Sequence, residues 1–202
     1  MKNKFFAGIA IVIFAVVMSG CSKVPQAEID AANTAIANAK AAGADVYASE
    51  NFIALKDSMN NVMINIESQK SKFFKSFSDE KELLAGISSY AAEVEKEAEM
   101  KKEELKVNIQ KTLSEISTLI ASNHSLVLEA PKGKEGTSAL QAIKSEISAL
   151  ESAVNEVVTL NDNGEYMSAM DKASAIKEKA TALQEELSGV IAKYKANTKT
   201  KK

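Results

Sequence analysis

From about Asp79 to Ser122, apolar residues return every three or four positions: Leu84, Ile87, Ala91, Val94, Ala98, Leu105, Ile109, Leu113, Ile116 and Ile120. That spacing lines one side of an α-helix; in a half-buried strand, apolar residues would alternate one by one. Only Lys101 breaks the seam, and from Leu105 to Leu113 the steps become four and four, which locally relaxes left-handed supercoiling. At about 1.5 Å per residue such a helix reaches roughly 65 Å, so the fold built on it is elongated. The acids Glu93, Glu95, Glu97 and Glu99 lie off the seam as a solvated face, with Glu97 placed to pair with Lys101.

The flanking segments follow the same period. A helix begins at Pro25, carries Ile29, Ala32, Ile36 and Ala39, and stops at Gly43. Residues 44–48 form a short connection and Ser49 an N-cap. A second helix presents Phe52, Leu55, Met59, Val62, Ile66 and Phe73, with Ser76 or Ser78 capping the long one. Pro131, Gly133 and Gly136 mark a linker over 125–136. Thr137 then caps a helix with Leu140, Ile143, Ile147, Leu150, Val154 and Val157. Asn161-Asp162-Asn163-Gly164 makes a turn, and a last stripe runs from Tyr166 through Met170, Ala173, Ile176, Ala180, Leu183, Leu187 and Ile191 to Tyr194.

The fold expected is therefore all-α, an elongated antiparallel helical bundle of long, coiled-coil-like hairpins. Its parts are an N-terminal helical region (21–124), the linker (125–136), a C-terminal hairpin (137–196) and a basic tail (197–202). A shift of 84 residues aligns Met59 with Ile143, Met63 with Ile147 and Ile66 with Leu150, which suggests duplicated hairpins. Because 84 is a multiple of seven, two unrelated heptad patterns would also match at that shift.

The first 21 residues have a different character. Lys2 and Lys4 precede an uncharged run from Phe5 to Met18, then Ser19-Gly20 and the only cysteine, Cys21. The run is too short for a spanning helix and reads as an export signal over 1–20. Met18-Ser19-Gly20-Cys21 resembles the lipobox of bacterial lipoproteins, with Met18 where leucine is commonest. The resemblance implies cleavage between Gly20 and Cys21, lipidation of Cys21, and a palmitate-type acyl anchor in the cell envelope. Ser22 after the cysteine goes with outer-membrane sorting in enterobacteria-like systems. The alternative is an ordinary signal peptide followed by an incidental thiol.

A second resemblance rests on Ala41-Ala42-Gly43-Ala44-Asp45-x-Tyr47-Ala48 with Phe52-x-x-Leu55, and on Gly164-Glu165-Tyr166-x-x-Ala169-x-x-x-Ala173. Both are similar to an alanine-rich helical domain of uncharacterised function found in envelope lipoproteins. That implies a fold and a location and no established activity.

Composition narrows the chemistry. Loss of Lys2 and Lys4 leaves 23 of 25 basic residues against 27 acids, all 23 of them lysine. With no arginine and no tryptophan, nucleic-acid binding is not expected, nor a sharply specific ligand clamp. One histidine, His124, supplies neither a zinc set nor the Glu-x-x-His pairs of a di-iron bundle; at the end of its helix it reads as a dipole partner. There is no Gly-x-Ser-x-Gly elbow and no phosphate loop. We expect no enzyme, no cofactor and no metal. Met59, Met63, Met167 and Met170 fall on or beside the stripes and read as packing.

After Glu186 no acid follows, while Lys193, Lys195, Lys199, Lys201 and Lys202 crowd the terminus. They form either a solvated tail or a contact with an anionic surface: phospholipid, polysaccharide or cell wall. The terminal Lys202 also resembles that of the major outer-membrane lipoprotein, which joins peptidoglycan through that residue, and the resemblance implies covalent attachment to the wall as a further form of contact. The function expected is a non-catalytic, lipid-anchored lipoprotein serving as a periplasmic spacer or protein-interaction scaffold. The alternatives are a surface-exposed lipoprotein binding a host or environmental ligand, and a carrier of an apolar ligand between its helices.

Overall fold

The long stripe belongs to one uninterrupted helix that serves both halves of the molecule. The computed structural model describes residues 23–131 and 134–199. It contains α1 (Gln26–Ala41), α2 (Ala44–Tyr47), α3 (Ser49–Lys70), α4 (Ser78–Glu129), α5 (Lys134–Asp162) and α6 (Tyr166–Lys199), packed against one another with no strand among the described residues. With 52 residues, α4 is about 78 Å long.

Side-chain pairs fix the directions of the other helices. Glu28 pairs with Lys81 at 2.9 Å, so α1 begins beside the start of α4. α3 returns antiparallel: Asn51 donates to Glu97 and Tyr90 donates to Asn51, which places the start of α3 well along α4. In the other half, α6 runs in the same direction as α4. Gln184 donates to Ser122, Lys177 pairs with Glu115, and Lys195 pairs with Glu129 at 3.2 Å. α5 descends between them in sequence, tied to α6 by Glu156–Lys172. Each half is thus an up-down-up trio, α1–α3–α4 and α4–α5–α6, and α4 is common to both.

Two separate cores result. The first joins Ile29, Phe52, Leu55, Ile66, Leu84 and Val94; the second joins Ile109, Ile116, Ile147, Leu150, Val157 and Leu187. Buried positions of α4 from Glu80 to Ala98 correspond one for one with those of α6 from Ala169 to Leu187, at a shift of 89 residues. The 84-residue alignment is out of step with this: it pairs exposed Ala85 with fully buried Ala169. The halves share an architecture, and their buried faces do not follow the register of that alignment.

Between the cores lies a joint. The Tyr47 hydroxyl donates to the carbonyl of Gly164 at 3.0 Å, and the Tyr47 and Tyr166 rings sit 6.3 Å apart. Lys102 lies 5.6 Å over Tyr47 and Lys106 lies 5.2 Å over Tyr166, both within cation–π range. Gly43 (φ 82°) is left-handed, and a Cβ there would stand 3.0 Å from the Tyr47 ring, so the residue that ends α1 also makes room for the joint. Tyr47→Phe removes the cross-half hydrogen bond and is expected to cost about 1 kcal/mol, a few degrees of melting temperature. An unchanged melting temperature would mean that α4 alone holds the halves together.

Several expectations are corrected. α4 continues past Ser122 to Glu129 because Asn123 and Val127 extend its buried face; Asn123 donates to the carbonyl of Ala180 at 2.9 Å. The 125–136 linker shrinks to the few residues around Pro131, which forces Ala130 into extended backbone (ψ 144°) and so ends the helix there. α5 starts at Lys134, so Thr137 lies within it and is not its cap. Residues 44–47 form a helical turn, and Ala48 and Phe77, with no side-chain cap, stand where Ser49 and Ser76 or Ser78 were expected. The residue that interrupts the seam is half-buried Lys102; exposed Lys101 pairs with Glu104 at 2.9 Å, leaving Glu97 to Asn51. Buried Thr112 takes the place of partly buried Leu113. α6 carries on beyond Ala196 to Lys199, so residues 197–199, expected in the basic tail, are helical.

Candidate functional site

The topology gives the molecule two chemically different ends. Partly buried Val24 packs on the first core and Pro25 is buried. With Glu28 against Lys81, this puts the beginning of the described chain beside the α3–α4 loop. The other end is made by the close of α4, the start of α5 and the last turns of α6. The two are separated by roughly the length of α4, about 78 Å.

At the far end, the predicted anionic-surface lysines divide. Lys193 is exposed on α6. Lys195 reaches back to Glu129, and with both side chains more than half exposed the pair is worth at most about 1 kcal/mol. The backbone of Lys199 is in the last turn of α6. Lys201 and Lys202 lie outside the described residues, as do Gly20 and Cys21 at the opposite terminus.

The near end holds residues that periodicity misplaced. Phe73, counted in the α3 stripe, lies beyond the end of that helix at Lys70 and is 93% exposed; Phe74 is 87% exposed. The rings meet edge to face at 5.1 Å and touch water on their other sides. Phe77, in the same loop, is only 4% exposed and anchors it to the core. The sequence signal was there, in lysines at 70, 72 and 75 alternating with phenylalanines in a stretch that opens no helix.

Beside this loop an open groove of about 760 Å³ runs between α3 and α4. Asn61, Asn65 and Tyr90 give it a polar side, and Val62, Leu83 and Ile87 an apolar one. Gly86 forms part of its lining, and a Cβ there would meet nothing within 4 Å. The neighbouring Glu80 is buried, with one carboxylate oxygen unpartnered.

His124 is not at a helix end. It stands within α4, its Nε2 3.0 Å from the Glu151 carboxylate of α5. Among the described residues no three of His, Cys, Asp and Glu come together as a metal site would require. No described helix is long and apolar enough to cross a membrane. The resolved electrostatic effects are local to ion pairs. Hydrogen bonding from Lys81 holds the Glu28 carboxyl below the usual glutamate range, and Lys177 does the same to Glu115. A depressed carboxyl favours the folded state above the ordinary glutamate range, and that preference fades as pH falls through the lowered value. Lys106 is held above the usual lysine range, first by its hydrogen bond with Glu103 and then by Tyr166.

No known protein family matches the chain, and neither a curated protein nor a solved structure does.

Proposed function

We propose that this chain is a non-catalytic lipoprotein of the bacterial cell envelope, anchored in the outer membrane by acyl chains on Cys21, and that it works as a spacer or interaction scaffold. The observation that carries this reading is the placement of the two ends. The described chain begins at one end of α4, two residues after Cys21, and α6, bearing Lys193 and Lys195, ends at the other. A tether at the first end lets the rod hold the second about 78 Å away, a distance suited to reaching another layer of the envelope. The lipobox-like Met18-Ser19-Gly20-Cys21 and the alanine-rich likeness of residues 41–55 support the same placement. The expected partners are the membrane, through Cys21, and the cell wall or another envelope protein at the far end; nucleic acid is not among them.

A photo-crosslinking residue at Lys193 tests the scaffold role in cells. An adduct with cell wall or one envelope protein is expected there, and none from the same probe at exposed Lys96, about a third of the way along α4. Removing Asn197 to Lys202 is expected to leave the melting temperature within about 1 °C and to weaken retention on isolated walls, an effect that raised salt imitates. Equal, salt-insensitive retention of the intact and shortened chains would reduce the lysines to a solvated end. Protease shaving of intact cells separates a periplasm-facing rod, which survives, from a surface-exposed one.

A further inference from the structure

We propose that the α3–α4 loop, residues 71–77, is a lipid-insertion tip: Phe73 and Phe74 enter the interfacial layer of a bilayer, and Lys72 and Lys75 contact its anionic headgroups. A lone exposed apolar side chain is ordinary on a protein surface, but two adjacent phenylalanines about nine-tenths exposed leave a large apolar area in water. The fold holds them there. α3 ends at Lys70 and Phe77, seven residues later, is buried in the first core, so the loop is pinned at both ends while Phe73 and Phe74 between them stay in water.

The charges around the rings select the occupant. Lys72 and Lys75 are exposed and flank the pair in sequence, and Lys23 is exposed at the same end. Of the nearby acids, Glu67 pairs with Lys70 and Glu28 with Lys81, Asp79 and buried Glu80 lie in the first turn of α4 at the positive end of its dipole, and exposed Glu82 follows them on the helix. Aromatic rings amid lysines with long apolar stems match the boundary between acyl chains and anionic headgroups. An apolar protein pocket would take the rings but gain nothing from the cations. The described chain also begins at this end, so an anchor on Cys21, two residues before it, would hold a membrane beside the loop. In that one respect the inference rests on the reading of Cys21 as a lipid tether. With both contacts at one end, the tip would orient the rod on the membrane, which a flexible tether alone would not do.

The chain has no tryptophan, so Phe74→Trp in the full-length protein gives a single reporter, with Tyr194→Trp as the far-end control. The probe is vesicles of phosphatidylethanolamine and phosphatidylglycerol with brominated acyl chains. At position 74 we expect a shift of emission to shorter wavelength and quenching several-fold stronger than at position 194, both weakened in vesicles of phosphatidylcholine alone. Because both rings are exposed, the double variant Phe73→Ser, Phe74→Ser should melt like the wild type. Mass spectrometry of the N-terminal peptide reads the tether independently. An acylated chain whose position-74 tryptophan stays unquenched overturns the tip and leaves the tether; a quenched tryptophan on a chain without acyl groups supports the tip and overturns the tether. A blue shift seen only with lipid-extracted envelopes overturns the proposal in favour of a protein partner.

Discussion

Ile147→Asp is expected to destabilise the protein by about 3–5 kcal/mol and to lower its melting temperature by roughly 10 °C. Ile147 is fully buried in the second core, where α4, α5 and α6 meet. A carboxylate there loses the apolar contacts of isoleucine and stands without a partner, so it either remains charged at high cost or takes up a proton at a smaller one. The second core is separated from the first by the Tyr47–Gly164 joint, and the damage should therefore fall mainly on α5, α6 and the second half of α4. Hydrogen exchange would show protection lost at Val157 and Leu187 before Leu55 and Leu84. A change within 0.5 kcal/mol, the size of a surface substitution, would mean that this face of α5 is not in the core.

Cys21→Ser is expected to abolish incorporation of lipid label altogether. Each buried acyl methylene contributes about 0.8 kcal/mol, so two or three chains make attachment effectively permanent while none leaves only weak surface contacts. The lipid-free chain should leave the detergent-rich phase in phase separation unless its uncleaved signal holds it there, a difference in mass that gel mobility resolves. A Cys21→Ser protein that still carries label would show that the acyl groups sit elsewhere and that Met18-Ser19-Gly20-Cys21 is an incidental likeness.

Helix identity was legible from stripe spacing alone, because each helix buries one face and the apolar residues of that face recur at three and four. Boundaries were harder where a polar residue occupies a buried position. Asn123 ended the apparent stripe of α4, yet it continues the buried face because its amide finds the Ala180 carbonyl on a helix far away in sequence. Phe73 erred the other way: its spacing fits the α3 face, but α3 has already ended, and no periodicity tells a ring in the core from one in water. Lys102 and Lys101 could not be told apart until Tyr47 was seen beneath the former. The far-end lysines were legible as a charge run. That Lys193 and Lys195 lie at the opposite end from the start of the described chain was not, since it depends on α6 running alongside α4 in the same direction, which Lys195 and Glu129 record.

On the proposed reading, the rod stands on its N-terminal end and holds the end of α6 away from the membrane. The most direct measurement is the thickness of the protein layer formed by the full-length, acylated chain on a supported bilayer, by neutron reflectometry. An upright rod gives a layer of about 80 Å, set by α4 at about 1.5 Å per residue. A layer of about 20–30 Å, two or three helix diameters of roughly 10–12 Å, would mean that the rod lies flat and spaces nothing.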